Sequence, residues 1–467
     1  MNANFAKRQP KLIPFEGDLS VVGDVVKIIT AAGGCALLVG GCVRDALLGV
    51  HSKDVDIEVQ GLSAPVLRRI LKQRFDIVSV GQSFGVFKIR GHDVDVSLPR
   101  RESKTGLGHR GFRVEGDPNM PLVEAAARRD FTINAIYWNP RTGELLDPYG
   151  GIGDLAAKRL RHTSPAFADD PLRVLRGMQF AARFQMTPAP ETVELCSRIT
   201  PENLPPERIF EEWSKFISKG VKPSIGLTFL RNCGWVRYYP ELEALIGCEQ
   251  DPIHHPEGDV WTHTAHCLDA FAANRTGDVW EDLVVGFAVL CHDFGKAVTT
   301  RIGEDGRLHA YGHEEESVPL ARAFLMRMTQ HRELIESVLP LVENHMCPFS
   351  LWRDNAGNAS IRRLARRVGR IDRLVRVGDA DQRGRPPLTD FPPCGKWLLE
   401  KAAALRVEDT APKPILLGRH LIKEGIKPGP DFSKWLKSAF EAQIEGAFSD
   451  EIGAITWLRQ QEGFPPV

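Results

Sequence analysis

Two carboxylates two residues apart, Asp54 and Asp56 in Lys53-Asp54-Val55-Asp56-Ile57, are the sharpest chemical feature of the chain. On a strand, residues two apart share a face, so the spacing predicts both carboxylates on one side and Val55 and Ile57 on the other. Adjacent carboxylates repel, and a divalent cation resolves the conflict. Mg²⁺ characteristically takes one or two carboxylates together with substrate phosphates. A pair of such ions can clamp the attacking and leaving oxygens of a displacement at phosphorus. A third acid is wanted from a neighbouring strand, and His92-Asp93-Val94-Asp95-Val96 offers Asp95, with Asp93 on the same face. Upstream, the apolar pair Leu38-Val39 enters Gly40-Gly41 and then Cys42-Val43-Arg44-Asp45. Glycines let backbone amides approach a phosphate closely, and the start of a helix adds a favourable field. Arg44 is placed to grip the same triphosphate. Alone, a Gly-Gly pair is a turn and D-x-D a solvated strand edge; the ordered set is far more specific.

Asp170 and Arg173 lie three apart at the start of a predicted helix and would share a face. A carboxylate only accepts hydrogen bonds and a guanidinium only donates them. Cytosine and adenine each present an amino donor beside a ring-nitrogen acceptor, whereas uracil and guanine place a carbonyl where the amino group would be. Such a pair suits C and A. The competing reading makes Asp170 a helix cap before Pro171 and Arg173 a surface charge. A third constellation is His263, His292-Asp293, His313, His345 and Asp381. Imidazoles with carboxylates suit a hydrolase centre holding a transition metal or Mg²⁺.

The elements that must position these residues fall into two styles. Residues 21–160 alternate short β-rich runs (Ala36–Val39, Val55–Val59, Ile77–Val80, Val86–Ile89, Val94–Leu98) with few helical patterns such as Ala64–Phe75. That predicts an α/β head with a mixed sheet. From about residue 165 the pattern is helical. Asp-Pro-Ile-His-His-Pro-Glu-Gly-Asp at 251–259 reads as a linker, Arg385–Pro393 as a second break, and 425–430 as a turn in a helical tail. The Gly-rich polar stretch 101–125 reads as a long functional loop. The expected division is a head over 1–162, a helical neck over 163–250, a histidine-rich module over 251–385 and a tail over 386–467. A length of 467 residues suits that number of parts.

Formal net charge is zero, so any surface for nucleic acid must be local. The densest basic stretch, Arg362-Arg363-Leu364-Ala365-Arg366-Arg367 through Arg370, Arg373 and Arg376, would make a positive stripe if it forms one helix. The nine cysteines form no C-x-x-C pair, which argues against a zinc ribbon or a secreted disulfide framework and fits a reducing cytoplasm. The opening residues lack the apolar core of a signal peptide, and no run is long enough for a membrane span.

Gly-Gly-Cys-Val-Arg-Asp followed by Asp-Val-Asp resembles the signature of the DNA polymerase β-type nucleotidyltransferase superfamily. Further motifs narrow the resemblance to bacterial class II tRNA nucleotidyltransferases and their poly(A) polymerase relatives. Arg128-Arg129-Asp130-Phe131 looks like their ribose-recognising motif, and Asp147-Pro148-Tyr149-Gly150-Gly151 like their hinge. Asp169-Asp170-Pro171-Leu172-Arg173 through Arg176 looks like their base-reading helix, and Pro206-Glu207-Arg208-Ile209 like the motif after it. The histidine-rich set is similar to the HD-type metal phosphohydrolases.

The resemblance implies CCA addition to tRNA from CTP and ATP with two Mg²⁺ ions and Asp54, Asp56 and Asp95 as catalytic residues. Poly(A) synthesis or A addition is the near alternative, and a non-catalytic RNA-binding protein the distant one. Gly40, Gly41, Arg44, Arg129, Asp130, Asp170, Arg173 and Arg176 would bind nucleotide. His263, His292, Asp293 and Asp381, with His313 and His345, would hold a divalent metal for phosphatase, 2′-nucleotidase or 2′,3′-cyclic phosphodiesterase chemistry. Neither DNA nor a membrane is an expected partner. Two departures stand out: Asp169 where the family usually has Glu, and Gln179 where it often has Arg. The second removes a positive charge, with Arg176 as the compensating residue.

Overall fold

The computed structural model describes residues 19–52, 54–80, 85–104, 112–462 and 464. Lys53, residues 105–111 of the Gly-rich stretch and the opening residues 1–18 lie outside them. The β-branched runs become β1 (Cys35–Val39), β2 (Val55–Gln60), β3 (Ile77–Val80), β4 (Val86–Ile89), β5 (Val94–Ser97), β6 (Arg100–Lys104), β7 (Phe112–Gly116), β8 (Tyr137–Trp138) and β9 (Leu145–Leu146). Seven of them form one sheet in the order β3-β4-β5-β2-β1-β8-β9. β2 and β5 run parallel and the other pairs antiparallel, so the sheet is mixed, as expected.

Strand alternation gives the sheet two unlike faces. Ala36, Leu38, Ile57, Val59, Val94 and Val96 pack against Val25 and Ile29 of the helix Leu19–Ala31 and against Leu67 and Leu71 of the helix Ala64–Lys72. The opposite face carries Leu37, Val39 and Tyr137, covered by Ala126 and Ala135. Asp56 sits directly across from Val39, and Asp95 directly across from Asp56, so both acids belong to this second face. Asp54 precedes β2 by one residue and is not in the strand.

The stretch 101–125 is more structured at its ends than a loop. β6 and β7 pair from Arg100 opposite Gly116 to Lys104 opposite Phe112, and a helix follows at Leu122–Ala127. The residues on either side of 105–111 pair as a ladder, and that pairing outweighed the loop-like composition.

By internal contacts the chain forms two compact units: residues 1–216 with 225–235, and residues 217–224 with 236–467. The second unit is mainly helical, with one short hairpin at Arg301–Ile302 and Leu308–His309. Residues 251–259 form no helix or strand, but they are not a passive linker. The Glu257 side chain is wholly buried within the second unit, against His255 and His263.

The basic stretch also departs from expectation. Gly369, at φ +74°, ends the helix Asn358–Val368, and a separate helix runs over Ile371–Arg383. Its arginines are largely neutralised within the unit. Arg363 pairs with Glu445, Arg366 with Glu441 at 2.6 Å, Arg373 with Glu281 at 2.7 Å and Arg376 with Asp282 at 2.5 Å. A stripe so paired offers a phosphate backbone far less than its composition suggests. Among the described residues, no helix is long and apolar enough to cross a membrane.

Candidate functional site

β1 delivers the chain into the Gly40-Gly41 turn, and the helix Gly41–Leu48 leaves it. Gly40 has φ +83°, a left-handed conformation that L side chains rarely adopt. A Cβ there would stand 3.2 Å from Arg129 Nη1 and 3.3 Å from Asp56 Oδ2. The turn, the carboxylate and the guanidinium therefore meet at one point, and a side chain at position 40 would intrude on it.

Asp56 has an edge open to solvent, yet its carboxyl is raised above the ordinary value. Desolvation by the surrounding protein is the largest cause; Arg129 opposes it, and the charges of Asp95 and Asp54 add to it. Crowded carboxylates that would be relieved by positive charge are a donor set suited to a hard divalent cation. Lys88 takes part of that role, with Nζ 2.9 Å from Asp95 Oδ2. It faces Asp95 across the β4–β5 pairing, and sequence reasoning missed it. The period-2 pattern of Val86-Phe87-Lys88-Ile89 was the available signal.

Arg129 lies above the Tyr137 ring, 5.4 Å from its centroid, and pairs with Glu58 at 3.4 Å. Arg44 is buried and engaged: it bonds Asp45 through Nε at 2.8 Å and Asn134 through Nη1 at 2.5 Å, and it stacks 4.4 Å from the Phe184 ring centroid. Its guanidinium is thus already engaged by protein groups, where a grip on the triphosphate is expected. Asp130 is buried too. Its Oδ1 accepts from Phe131 N and from Asn134 Nδ2, and its Oδ2 accepts from Arg176 Nε at 2.8 Å. Burial alone would raise this carboxyl, but Arg176 and the hydrogen bonds outweigh it and hold it at about 2.

That shift has a consequence for stability. A carboxyl depressed in the fold stabilises above its unfolded value of about 3.9, and loses that contribution as pH falls through the folded value. The Asp130 network is therefore expected to contribute roughly 2 kcal/mol near neutrality, vanishing between about pH 4 and pH 2. Asp130→Asn should lower the unfolding midpoint at pH 7 and lower it much less at the acid end. Thermal unfolding followed over pH checks this; an equal loss at both ends contradicts it.

The helix Leu172–Phe184 carries Arg173 but not Asp170, and the side chains of the two proposed base readers turn to different partners. Asp170 is extended and precedes that helix, so the expected shared helix face is absent. Its Oδ1 accepts from Leu172 N at 3.2 Å in capping fashion, and Arg208 Nη2 donates to Oδ2 at 2.9 Å. Arg173 donates instead to the carbonyls of Ala166 and Arg128 at 2.8 and 2.7 Å. Arg208 is the missed residue here, 38 positions away on the helix Pro206–Lys219. Asp169 is exposed.

Gln179 is 1% exposed and its amide nitrogen finds no hydrogen-bond partner. Arg176 is tied to Asp130 and lies 3.8 Å from Glu212. A buried unpaired amide costs about 1–3 kcal/mol, so an apolar residue of similar volume is tolerated or favoured. Gln179→Met is expected to raise the unfolding midpoint slightly while leaving CTP affinity within about two-fold. A clear drop in either quantity would assign the amide a working role.

In the second unit, six sequence-predicted residues converge from five segments. His263 lies within the helix Val260–Ala273, His292 and Asp293 just past the helix Val279–Cys291, His313 at the start of His313–Met326, His345 past Arg332–Glu343, and Asp381 within Ile371–Arg383. His263 Nε2 lies 3.0 Å from Asp381 Oδ1 and 3.5 Å from Asp293 Oδ2, and His292 Nε2 lies 3.2 Å from Asp293 Oδ2. His313 Nε2 is 3.3 Å from Asp293 Oδ1 and 3.2 Å from His345 Nε2.

His292, His313 and His345 each place Nδ1 2.7 Å from the carbonyl three residues earlier, which turns Nε2 inward. Glu257 Oε1 does the same for His263, accepting from its Nδ1 at 2.7 Å. Burial works to lower His292, but the Asp293 carboxylate prevails and pushes it up to about 10. Burial and the neighbouring His292 hold His345 down at about 3. His292 Nε2 and both Asp293 oxygens are buried and make no well-directed hydrogen bond, although Lys296 Nζ stands 2.8 Å from Asp293 Oδ2 and the imidazoles crowd the carboxylate. Imidazole and carboxylate atoms converging this closely in a buried site fit a divalent metal. Sequence reasoning missed Glu257, His255, Cys267, Lys296 at 2.8 Å from Asp293, and Arg385 at 2.7 Å from Asp381.

A mixed sheet presenting a glycine turn against paired carboxylates defines a nucleotidyltransferase head, and residues 36–161 match the Poly A polymerase head domain. The chain is 35% identical over 426 residues to the Multifunctional CCA protein of Xanthomonas campestris pv. campestris (strain B100), spanning 88% of this chain and 98% of the relative. It is 38% identical over 376 residues to that of Alkalilimnicola ehrlichii, spanning 78% and 87%. The chain belongs to the multifunctional CCA protein family. Its fold resembles the Bacillus stearothermophilus CCA-adding enzyme in complex with CTP, with a TM-score of 0.64, 22% identity, and 94% and 95% of the two chains covered. The Thermotoga maritima CCA-adding enzyme complexed with tRNA has a TM-score of 0.59 at 19% identity, with 98% of each chain covered.

Proposed function

We propose that the protein adds CCA to the 3′ end of tRNA from CTP and ATP, without a nucleic-acid template, in the cytoplasm. The observation that carries this reading is the meeting of Gly40, Asp56 and Arg129 beside Asp95, in a chain of the multifunctional CCA protein family. The tRNA 3′-hydroxyl oxygen bonds to the α-phosphorus of the nucleotide, the bond to pyrophosphate breaks, and the hydroxyl proton passes to solvent. Asp54, Asp56 and Asp95 would hold divalent metal, two Mg²⁺ ions in our reading. When bound, these supply charge stabilisation at the attacking and leaving oxygens.

The chain's own groups do the rest. Backbone amides of Gly40-Gly41 receive the triphosphate, with Arg44 beside the turn. Arg129 and the Asp130–Arg176 pair position the ribose. Asp170 and Arg173 read the amino donor and ring acceptor shared by C and A, once they exchange their present partners for the base. The division into 1–162, 163–250, 251–385 and 386–467 follows these roles.

The histidine cluster supports a second activity, hydrolysis of a phosphate ester of the phosphatase, 2′-nucleotidase or 2′,3′-cyclic phosphodiesterase kind. Its support is the buried, inward-turned ligand set, in which His292 Nε2 and the Asp293 oxygens make no well-directed hydrogen bond. A bound divalent metal would supply Lewis acidity and an activated water there. For the head, tRNA ending before CCA is incubated with labelled CTP alone and with ATP alone. The reading expects two C residues from CTP alone. Long A tracts from ATP alone would make the protein a poly(A) polymerase, a single A on tRNA already ending in CC with no C addition would make it an A-adding enzyme, and no incorporation an RNA-binding protein.

A further inference from the structure

The histidine cluster contains a side chain of a different chemical kind. Cys267 lies four residues after His263 on the helix Val260–Ala273, one turn along and on the same face. It is fully buried. Its Sγ lies 3.3 Å from His263 Nε2 and 3.9 Å from the Asp381 carbonyl oxygen. The sulfur and one ligand atom each from His263, His292 and Asp381 all lie within 4.8 Å of one another. Thiolate, imidazole and carboxylate ligands sit about 2.0–2.3 Å from a bound ion, which leaves two ligand atoms of one ion roughly 3–3.6 Å apart. The sulfur–nitrogen separation falls in that range. Gly384 packs directly against the sulfur, and any Cβ there would collide with it, so the fold keeps space for Cys267 at this point.

We propose that Cys267 Sγ is a metal ligand of this centre, together with His263, His292 and Asp381, and that it biases the centre towards Zn²⁺, Co²⁺ or Fe²⁺ over Mg²⁺. The inference rests on reading the cluster as a metal centre. Soft thiolate ligands select thiophilic transition metals, whereas Mg²⁺ demands oxygen donors. As the sulfur–metal bond forms, the thiol proton leaves to solvent, with no change in oxidation state.

The full-length protein carrying Asp56→Asn, so that the head does not compete, is stripped with chelator and titrated with Co²⁺. The proposal expects a thiolate-to-cobalt charge-transfer band in the near ultraviolet that saturates with the first bound equivalent. Cys267→Ser should abolish the band and weaken Co²⁺ binding by at least about 10-fold, with Mg²⁺ binding little changed. Bound cobalt with no such band, or a band that persists in Cys267→Ser, overturns the ligand role of Cys267 while leaving the metal centre standing. Failure to retain cobalt at all, or retention unchanged by His292→Ala, overturns the metal-centre reading itself. The charge-transfer band of the protein with Cys267 in place decides the ligand role even if Cys267→Ser folds poorly.

Discussion

Asp56→Asn is expected to lower incorporation of C from CTP by about 10³-fold or more while leaving the protein folded. Metal-assisted charge stabilisation is worth several kcal/mol at the transition state, and each 1.36 kcal/mol is about ten-fold in rate. Asp56 is the carboxylate that faces Gly40 and Arg129 and lies in register with Asp95, so no neighbour can substitute for it. The effect on stability should run the other way. Its carboxyl is raised in the fold, by desolvation first, so the ionised form is disfavoured there relative to the unfolded chain. Above the folded value the charged group therefore destabilises the fold, and replacing it with a neutral amide should leave the unfolding midpoint unchanged or higher. Incorporation kinetics with Mg²⁺ added, and thermal unfolding of the same preparation without metal, check both halves. A lowered midpoint that accompanies the lost activity would assign the loss to unfolding.

His292→Ala is expected to separate the two activities. It should reduce metal-dependent cleavage of a 2′,3′-cyclic nucleotide by at least about 100-fold, since removing even a supporting partner of a metal ligand costs 10–100-fold. The imidazole is locked by its Nδ1 contact to the Val289 carbonyl and presents Nε2 to Asp293, so Ala removes a ligand and strands a buried carboxylate. C and A incorporation at the head should stay within about two-fold, because Asp54 and Asp56 belong to the other compact unit. Cleavage that survives the substitution contradicts the ligand assignment. Coupled loss of incorporation contradicts independent sites.

The residues with local signatures were legible in the sequence. The strands around Asp56 and Asp95 fall within a residue or two of their expected ends, because β-branched runs bounded by turns leave little freedom. Six ligand candidates spread from His263 to Asp381 do converge, since the His-Asp pair and its spaced partners mark one chemistry. What stayed hidden depends on distant neighbours. Arg208 meets Asp170 across 38 residues, and Arg363 meets Glu445 across 82, so neither the base-reading geometry nor the neutralised basic stretch has a local signal. Glu257 was hidden differently. It lies among prolines and glycines whose composition reads as linker, although its carboxylate is buried and held at about 2 by His255 and His263 against the opposing effect of burial. Cys267 has a helical spacing from His263 but belongs to no C-x-x-C pair, and so no local motif marks it as a ligand.

The central claim, ordered and finite CCA synthesis, is tested most directly by the mass of the product. A tRNA lacking its last three nucleotides is incubated with the protein, Mg²⁺, CTP and ATP together, and the 3′ fragment is weighed and sequenced. The account expects an increment of two cytidylates followed by one adenylate, with no fourth addition on prolonged incubation and none on tRNA that already ends in CCA. A product that keeps growing by adenylates, or one that admits U or G at these positions at comparable rates, would contradict it.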